Sequence, residues 1–280
     1  MSSFAPKAFV SGWPISHSRS PLIHRFWLKQ FGLSGSYEPL AIAPEDADSF
    51  YTQLRTSGFV GGNVTVPHKE VAYRAATRRD EIAEYLGSVN TLWIEGGEIC
   101  ATNTDAHGFI ANLDATSPGW DNAARTAVVL GAGGAARAII WSLIQRGLRV
   151  AIVNRGLERA QDLVGRFAGT TAHGWDELPR LLATADVLVN TTPLGMSSKS
   201  TLEIDLSPLS TEALVTDIVY VPLMTPLLLA AQARGNPVVD GLGMLLHQAV
   251  PGFERWFGVR PVVTSDLREI IVADLEGVPV

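Results

Sequence analysis

The chain is predicted to fold as an α/β protein, and three observations carry that expectation. Short apolar runs bounded by Gly, Pro or Asn alternate with longer segments of helical period, the pattern of βαβ units and a mostly parallel sheet. One of these runs, TAVVL at 126–130, leads through the glycine turn GAGG into a segment of helical period. The 280 residues suffice for one large or two ordinary domains, at about 150 residues per domain.

Taken in order, residues 7–12 (KAFVSG) read as a strand and 21–31 (PLIHRFWLKQF) as a helix. A strand over 37–42, a helix over 44–57 and a strand over 59–66 ending in a Pro67 loop follow. Runs at 91–94 and 98–102 flank Gly96-Gly97, a hairpin signal, which places the loop 103–108 directly after a strand. The polar, Pro-containing stretch 114–125 reads as a surface link into a second unit. There 126–130 is a strand of buried type, 131–134 a glycine turn, 135–146 a helix stopped by Gly147, and 149–153 the next strand. Further strands are expected at 187–190, 214–217 and 237–240, and two helices at 244–257 and 266–275. No internal repeat or low-complexity tract interrupts the pattern.

Composition narrows the partners. Hydrophobic residues make up 46% and charged residues 18%, with 26 Gly and 16 Pro near average usage, which sets aside disordered, collagenous and coiled-coil classes. The net charge of −6 argues against a broad surface for nucleic acid or anionic membrane, so any phosphate or carboxylate ligand must be held locally. The lone cysteine, Cys100, cannot form an internal disulfide and reads as a buried, inert thiol. The first twenty residues carry Lys7, Pro14 and Arg19 without a signal-peptide pattern. The longest uncharged stretch, 218–233, contains Pro222, Thr225, Pro226 and Gln232 and falls short of the roughly 20 apolar residues that span a bilayer. A cytoplasmic protein is expected.

Four places can carry chemistry. In VVLGAGGAARA, Gly131, Gly133 and Ala136 have the G-x-G-x-x-A form between a strand and a helix. The first Gly permits a tight turn, the second lets backbone approach a pyrophosphate, and the small third residue packs helix on strand. A structural turn is the alternative. At the end of the next strand, where an acidic residue would hold ribose hydroxyls, stand Asn154 and Arg155, with Arg159 one turn on. Two guanidiniums can clamp a 2′-phosphate, pointing to NADP rather than NAD, against the alternative of a solvated basic helix start.

NVTVPHK at 63–69 and NTD at 103–105 are polar clusters just past strands, where ligands bind in open α/β sheets. A Lys paired with an Asp can exchange a proton with a hydroxyl or ketone, although on spacing alone Lys69 is more often a surface residue. Ser16, Ser18 and Ser20 precede the first helix and can either cap it or donate to a carboxylate. The six histidines lack metal-ligand spacing, and no metal is assigned.

Together these residues resemble the shikimate dehydrogenase family (shikimate/quinate dehydrogenases) nearly end to end. GWPISHSRSP resembles the family's G-x-P-I-x-H-S-x-S-P, NVTVPHK its N-V-T-x-P-x-K, SVNTL its x-V-N-T, and NTDAHGF its N-T-D-G-x-G-F. GAGGAAR, NRGLER, NTTPLGM, DIVYVPLMTPLL and DGLGMLLHQAVPGFERWFG continue the match. The resemblance implies a two-domain α/β fold. Residues 1–105, completed by 244–280, would form a substrate-binding and catalytic domain, and 106–243 a Rossmann-type NADP-binding domain, with the C-terminal helices returning to the substrate domain.

It implies an oxidoreductase of aromatic amino-acid biosynthesis that reversibly reduces 3-dehydroshikimate to shikimate with NADPH. Lys69 would be the general acid/base, with Asp105 hydrogen-bonded to the same hydroxyl. Ser18, Ser20 and Tyr220 would bind the substrate carboxylate, and Thr65, Asn90 and Gln248 the ring hydroxyls or neighbouring groups. Gly131, Ala132, Gly133, Gly134 and Ala135 would face the pyrophosphate, and Asn154, Arg155 and Arg159 the adenosine end. Thr191, Ile218, Gly241 and Met244 would lie nearer the nicotinamide, and Glu81 matches an acidic position facing the cofactor. The partner expected is the small-molecule substrate, with no nucleic acid and no membrane, and with a homodimer left open as the assembly.

Two positions depart from the family pattern: Gly156 stands where Thr is usual after Asn-Arg, and Ala106 where Gly is usual after NTD. His68 and His107 occupy variable positions and read as rim residues. A quinate or quinate/shikimate dehydrogenase is the nearest alternative and an aminoshikimate enzyme a more distant one. From another class, a non-catalytic dinucleotide-binding regulator could share the fold.

Overall fold

A computed structural model describes residues 5–197, 199–200 and 202–277. The chain divides into two compact units, one ending at Thr104 and resuming at Gln248, the other running from Asp105 to His247. Each carries its own six-stranded sheet.

In the first unit, β1 (Lys7–Gly12), α1 (Ser20–Gln30), β2 (Ser36–Ala41) and α2 (Ala47–Thr52) are followed by β3 (Gly61–Val64), α3 (Lys69–Ala75), β4 (Arg78–Arg79), α4 (Glu81–Leu86), β5 (Thr91–Glu95) and β6 (Glu98–Thr102). The strand order is β2-β1-β3-β5-β6-β4, with β5 antiparallel to both its neighbours. Alternation along β1 sends Phe9 to one face, with Tyr51, Leu54 and Leu92, and Ala8 and Val10 to the other, with Tyr37 and Trp256. The central β3 packs so closely that a Cβ on Gly62 would lie 2.5 Å from the Phe9 ring. Helix α1 buries Ile23, His24, Trp27 and Leu28, a three-to-four-residue spacing that gives it one apolar face.

The second unit holds α5 (Asp105–Thr116), β7 (Thr126–Leu130), α6 (Gly134–Gln145), β8 (Arg149–Val153), α7 (Leu157–Val164), β9 (Thr170–His173), α8 (Leu178–Leu182), β10 (Val187–Asn190), β11 (Leu214–Asp217), α9 (Pro226–Ala233) and β12 (Val238–Val239). Its sheet, ordered β12-β11-β10-β7-β8-β9, is parallel throughout. Strands buried on both faces explain the unbroken apolar runs of β7 and β10. Helix α10 (Leu242–Phe257) contains the boundary between the units, and α11 (Ser265–Leu275) belongs to the first, with Leu267 and Ile271 buried.

The strands at 7–12, 126–130, 149–153, 187–190 and 214–217 fall where the sequence puts them. Several expectations are corrected. The loop at 103–108 is only Asn103-Thr104, because α5 opens at Asp105. The stretch 114–125 is not the link between units: its first three residues finish α5, and all of it lies inside the second unit. The helix expected over 44–57 is the short α2 and a separate 3-10 turn, Leu54–Thr56.

Candidate active site

In the first unit, β1, β3 and β6 run in one direction, so their carboxyl ends share an edge with the start of the antiparallel β5. This edge carries the serine turn after Gly12, the segment from Thr65 to Lys69 after Val64, Asn90 before Thr91, and Asn103-Thr104 after Thr102. Backbone hydrogen bonds tie these segments together: Thr65 N to Ser11 O (2.9 Å), Val64 N to Asn90 O (2.8 Å), Val89 N to Lys69 O (3.1 Å) and Asn90 N to Thr102 O (3.1 Å).

Asn90 is buried, and its orientation is fixed by its neighbours. Its Oδ1 accepts from Thr104 N (2.8 Å), Thr104 Oγ1 (3.1 Å) and Thr91 Oγ1 (2.9 Å), which leaves Nδ2 as the donor face, 3.4 Å from Gln248 Oε1. Asn63 extends the network. Its Nδ2 donates to Asn90 O and Thr91 Oγ1, both at 3.1 Å, and its Oδ1 accepts from the Tyr37 hydroxyl at 2.5 Å. Burial pushes the Tyr37 phenol well above its usual range, opposed by a hydrogen bond from the Ser20 hydroxyl. A chain of fixed polar groups therefore joins the serine turn to Asn90, Thr104 and Gln248. Asn63 opens the NVTVPHK cluster but has no role of its own in the sequence reading, although an Asn inside the buried strand GGNV must find partners.

Lys69 is the half-buried first residue of α3 and Thr65 lies half-buried one turn before it. Neither serine caps α1: Arg19 is the cap residue and makes no side-chain cap bond, while Ser18 Oγ accepts from Ser20 N at 3.4 Å. The capping alternative is thereby removed. His68 is not a rim residue but is buried, with Nε2 2.8 Å from Ile42 O. Glu81 is exposed on the first turn of α4, which Asp80 caps. His24 is fully buried and stacked on Tyr37 at 3.9 Å, and burial pushes its pKa down to about 3. Asn63 lies near enough to oppose that shift, but neither ring nitrogen has a partner of hydrogen-bond geometry.

In the second unit the sites cluster at the carboxyl edge of the parallel sheet: Gly131 after β7, Asn154 after β8, Thr191 after β10, Ile218 after β11 and Gly241 after β12. Strand β7 lies between β8 and β10, the reversal of strand order where such sheets bind ligands. Gly131 has φ +104°, and a Cβ there would also meet Thr191 Oγ1 at 2.7 Å. Gly133 and Gly134, by contrast, have open space where side chains would stand. Helix α6 starts there with no side-chain cap, leaving its first N–H groups and positive dipole end facing that space. Bare backbone, open volume and a helix N-terminus fit a pyrophosphate.

Arg155 and Arg159 are exposed, and Asn154 Nδ2 donates to Gly156 O (2.8 Å), fastening the turn that carries them. Thr191 Oγ1 donates to Leu130 O (2.7 Å). Gly241 packs against Ile218 so tightly that a Cβ would lie 2.5 Å from its carbonyl. Asp217 pins this edge by accepting from Asn190 Nδ2 (2.9 Å), Val219 N (3.0 Å) and Thr225 Oγ1 (2.8 Å); burial raises its pKa, and these bonds oppose the rise. Tyr220 and Met244 are half-buried, and Asp105 is the half-buried first residue of α5. Among the described residues no group of three or more His, Cys, Asp or Glu is gathered to hold a metal. Nor is any helix there long and apolar enough to cross a membrane.

A parallel sheet with a glycine turn at its strand-order reversal, joined to an α/β unit with a fixed polar edge, defines a two-domain protein of the dinucleotide-binding class. The comparisons with known proteins narrow this class. Family models match at residues 10–92 (shikimate dehydrogenase substrate binding domain), 115–219 (shikimate/quinate 5-dehydrogenase) and 241–263 (shikimate 5′-dehydrogenase C-terminal domain). A shikimate dehydrogenase (NADP+) of Mesorhizobium japonicum is 59% identical, over 98% of each chain. One of Brucella melitensis is 58% identical, over 96% of this chain and 94% of its own. Among solved structures, Thermus thermophilus shikimate 5-dehydrogenase in complex with NADP(H) and shikimate superposes with a TM-score of 0.84 at 33% identity, covering 96% of this chain and 99% of that one. Corynebacterium glutamicum quinate dehydrogenase in complex with NAD gives 0.87 at 30% identity, with the same coverage. The chain belongs to the shikimate dehydrogenase family.

Proposed function

We propose that this chain is an NADP-dependent shikimate dehydrogenase, an oxidoreductase that interconverts 3-dehydroshikimate and shikimate in the cytoplasm. The observation that carries the reading is the first unit's edge, where Thr65, Lys69, Asn90 and Gln248 share one hydrogen-bonded framework in a chain 59% identical to a relative of that name. In this reading the first unit binds the substrate and the second binds NADP.

Lys69 holds the proton that the substrate oxygen takes up on reduction, and recovers it from the hydroxyl in the reverse direction. Asp105, which follows Thr104 directly in the chain, accepts a hydrogen bond at the same hydroxyl. Ser18 offers a hydroxyl donor to the carboxylate, joined by Tyr220 and by Ser20, whose hydroxyl leaves the Tyr37 phenol to do so. Thr65, Asn90 and Gln248 address the ring hydroxyls, and the donor face of Asn90 is already oriented for an acceptor. A site built this way rejects analogues lacking a hydroxyl, because its polar groups would be left unpaired.

Gly131, Ala132, Gly133, Gly134 and Ala135 hold the pyrophosphate, and Arg155 and Arg159, with Asn154, the 2′-phosphate. Thr191, Ile218, Gly241 and Met244 shape the nicotinamide end, and Glu81, exposed on the first turn of α4, is the acidic residue assigned to the cofactor. NADPH, when bound, supplies the hydride. The test is NADPH absorbance on mixing the purified protein with 3-dehydroshikimate. Stoichiometric oxidation with shikimate as product supports the reading; tight NADPH binding with no oxidation would make the protein a regulator.

A further inference from the structure

Arg19 stands between the two serines assigned to the carboxylate, and the structure gives it a task of its own. Its Nε donates to Asp274 Oδ2 at 2.7 Å and its Nη1 to the His17 carbonyl at 2.7 Å. One guanidinium thus bridges the serine turn and the last turn of α11, both in the first unit. The serine turn's other side-chain tie lies at its Ser20 end, where the buried hydroxyl bonds the Tyr37 phenol. Ser18 N donates to Ile15 O (3.0 Å), Ser18 Oγ accepts from Ser20 N at 3.4 Å, and the Arg19 side chain itself makes no cap bond to α1. Helix α11 is a firm anchor by contrast, with Leu267 and Ile271 fully buried and Thr264 Oγ1 accepting from Leu267 N.

We propose that Arg19 and Asp274 form a positioning pair that holds Ser18 and Ser20 in the geometry the substrate carboxylate requires. The inference rests on the carboxylate role proposed above for those serines. Asp274 engages the guanidinium, so the pair acts through the serines and not as a cation for the carboxylate. Because the side chains are 26% and 35% exposed, the ion pair itself contributes little to folding, and its effect is read in binding.

The experiment is steady-state oxidation of shikimate and of its methyl ester by NADP, with R19A, D274A, D274N, R19K and the double variant R19A/D274A. The expected result is a rise in KM for shikimate of about three- to tenfold in R19A and D274A, with kcat within about twofold and the NADP KM unchanged. The preference for shikimate over its ester falls by the same factor. The double variant is no worse than either single one, as coupled residues require, and R19K recovers part of the loss. Equal losses for acid and ester, additive effects, or a lowered KM in D274N would overturn the pair. The last would mean that the released guanidinium serves the carboxylate itself. If the unmodified protein turns over shikimate while the variants match it, the pair alone falls; if the unmodified protein fails to turn over shikimate, the functional reading and the pair fall together.

Discussion

The two units place their sites at equivalent sheet edges and build them from opposite materials. The first unit's edge is made of side chains: Asn63, Asn90, Thr91 and Thr104 are buried and oriented by one another. The second unit's edge is largely backbone, with Gly133 and Gly134 leaving open space and α6 uncapped, and its charged groups, Arg155 and Arg159, stand in solvent. A small polyhydroxylated acid offers many directional groups in little volume, so its recognition needs a preformed network. A dinucleotide offers phosphates, which a helix N-terminus and two exposed cations can hold.

Changes to the first edge should therefore act on chemistry and folding, and changes to the second on cofactor choice. The largest effect is expected for Lys69→Ala, with kcat falling by about 10²–10⁴-fold and KM for shikimate little changed, measured by steady-state kinetics. Next is acid stability. The folded pKa of His24, about 3, lies below the 6.5 of the exposed group, so the unfolded chain takes up the proton first. The stability linked to His24 is complete above pH 6.5 and drains away as pH falls toward 3. Urea unfolding should show a loss on the order of a few kcal/mol across that window, and His24→Phe should remove that share of the slope. A wild-type and variant pair with parallel pH profiles would refute it.

On the second edge, the double variant R155A/R159A should raise the NADP KM about 10- to 100-fold while leaving the weaker NAD reaction unchanged. A matching loss with both cofactors would break the contrast between the edges. The smallest effect concerns Gly156, the cap position of α7, which has an ordinary φ of −93°; a Cβ there would meet only Asn154 Nδ2, at 3.8 Å. Thr fits there, and Gly156→Thr should tighten NADP by a few-fold, about 1 kcal/mol or less, measured by cofactor titration.

The same contrast explains what could be read from the sequence. The second edge was legible because its signals are local: a glycine turn between an apolar strand and a helix, and basic residues at the next strand's end. The strands that carry it fall at the expected residues because each is a short apolar run between breakers. The first edge was legible only as separate polar clusters. What joins them is tertiary: Tyr37 to Asn63 across two strands, Asn90 to Gln248 across most of the chain, and Arg19 to Asp274. The serine turn misleads locally for the same reason, since its spacing suits a cap and only the folded unit shows Arg19 in that position. His68 likewise sits in a polar motif yet is drawn inside by the Ile42 carbonyl.

The central claim, a substrate edge for shikimate and a cofactor edge for NADP, is tested most directly by comparing kcat/KM for four combinations, shikimate or quinate with NADP or NAD. Shikimate with NADP should exceed each of the other three by at least about tenfold, the difference that one well-placed charged or hydroxyl contact makes. Quinate with NAD as the preferred pair would contradict it.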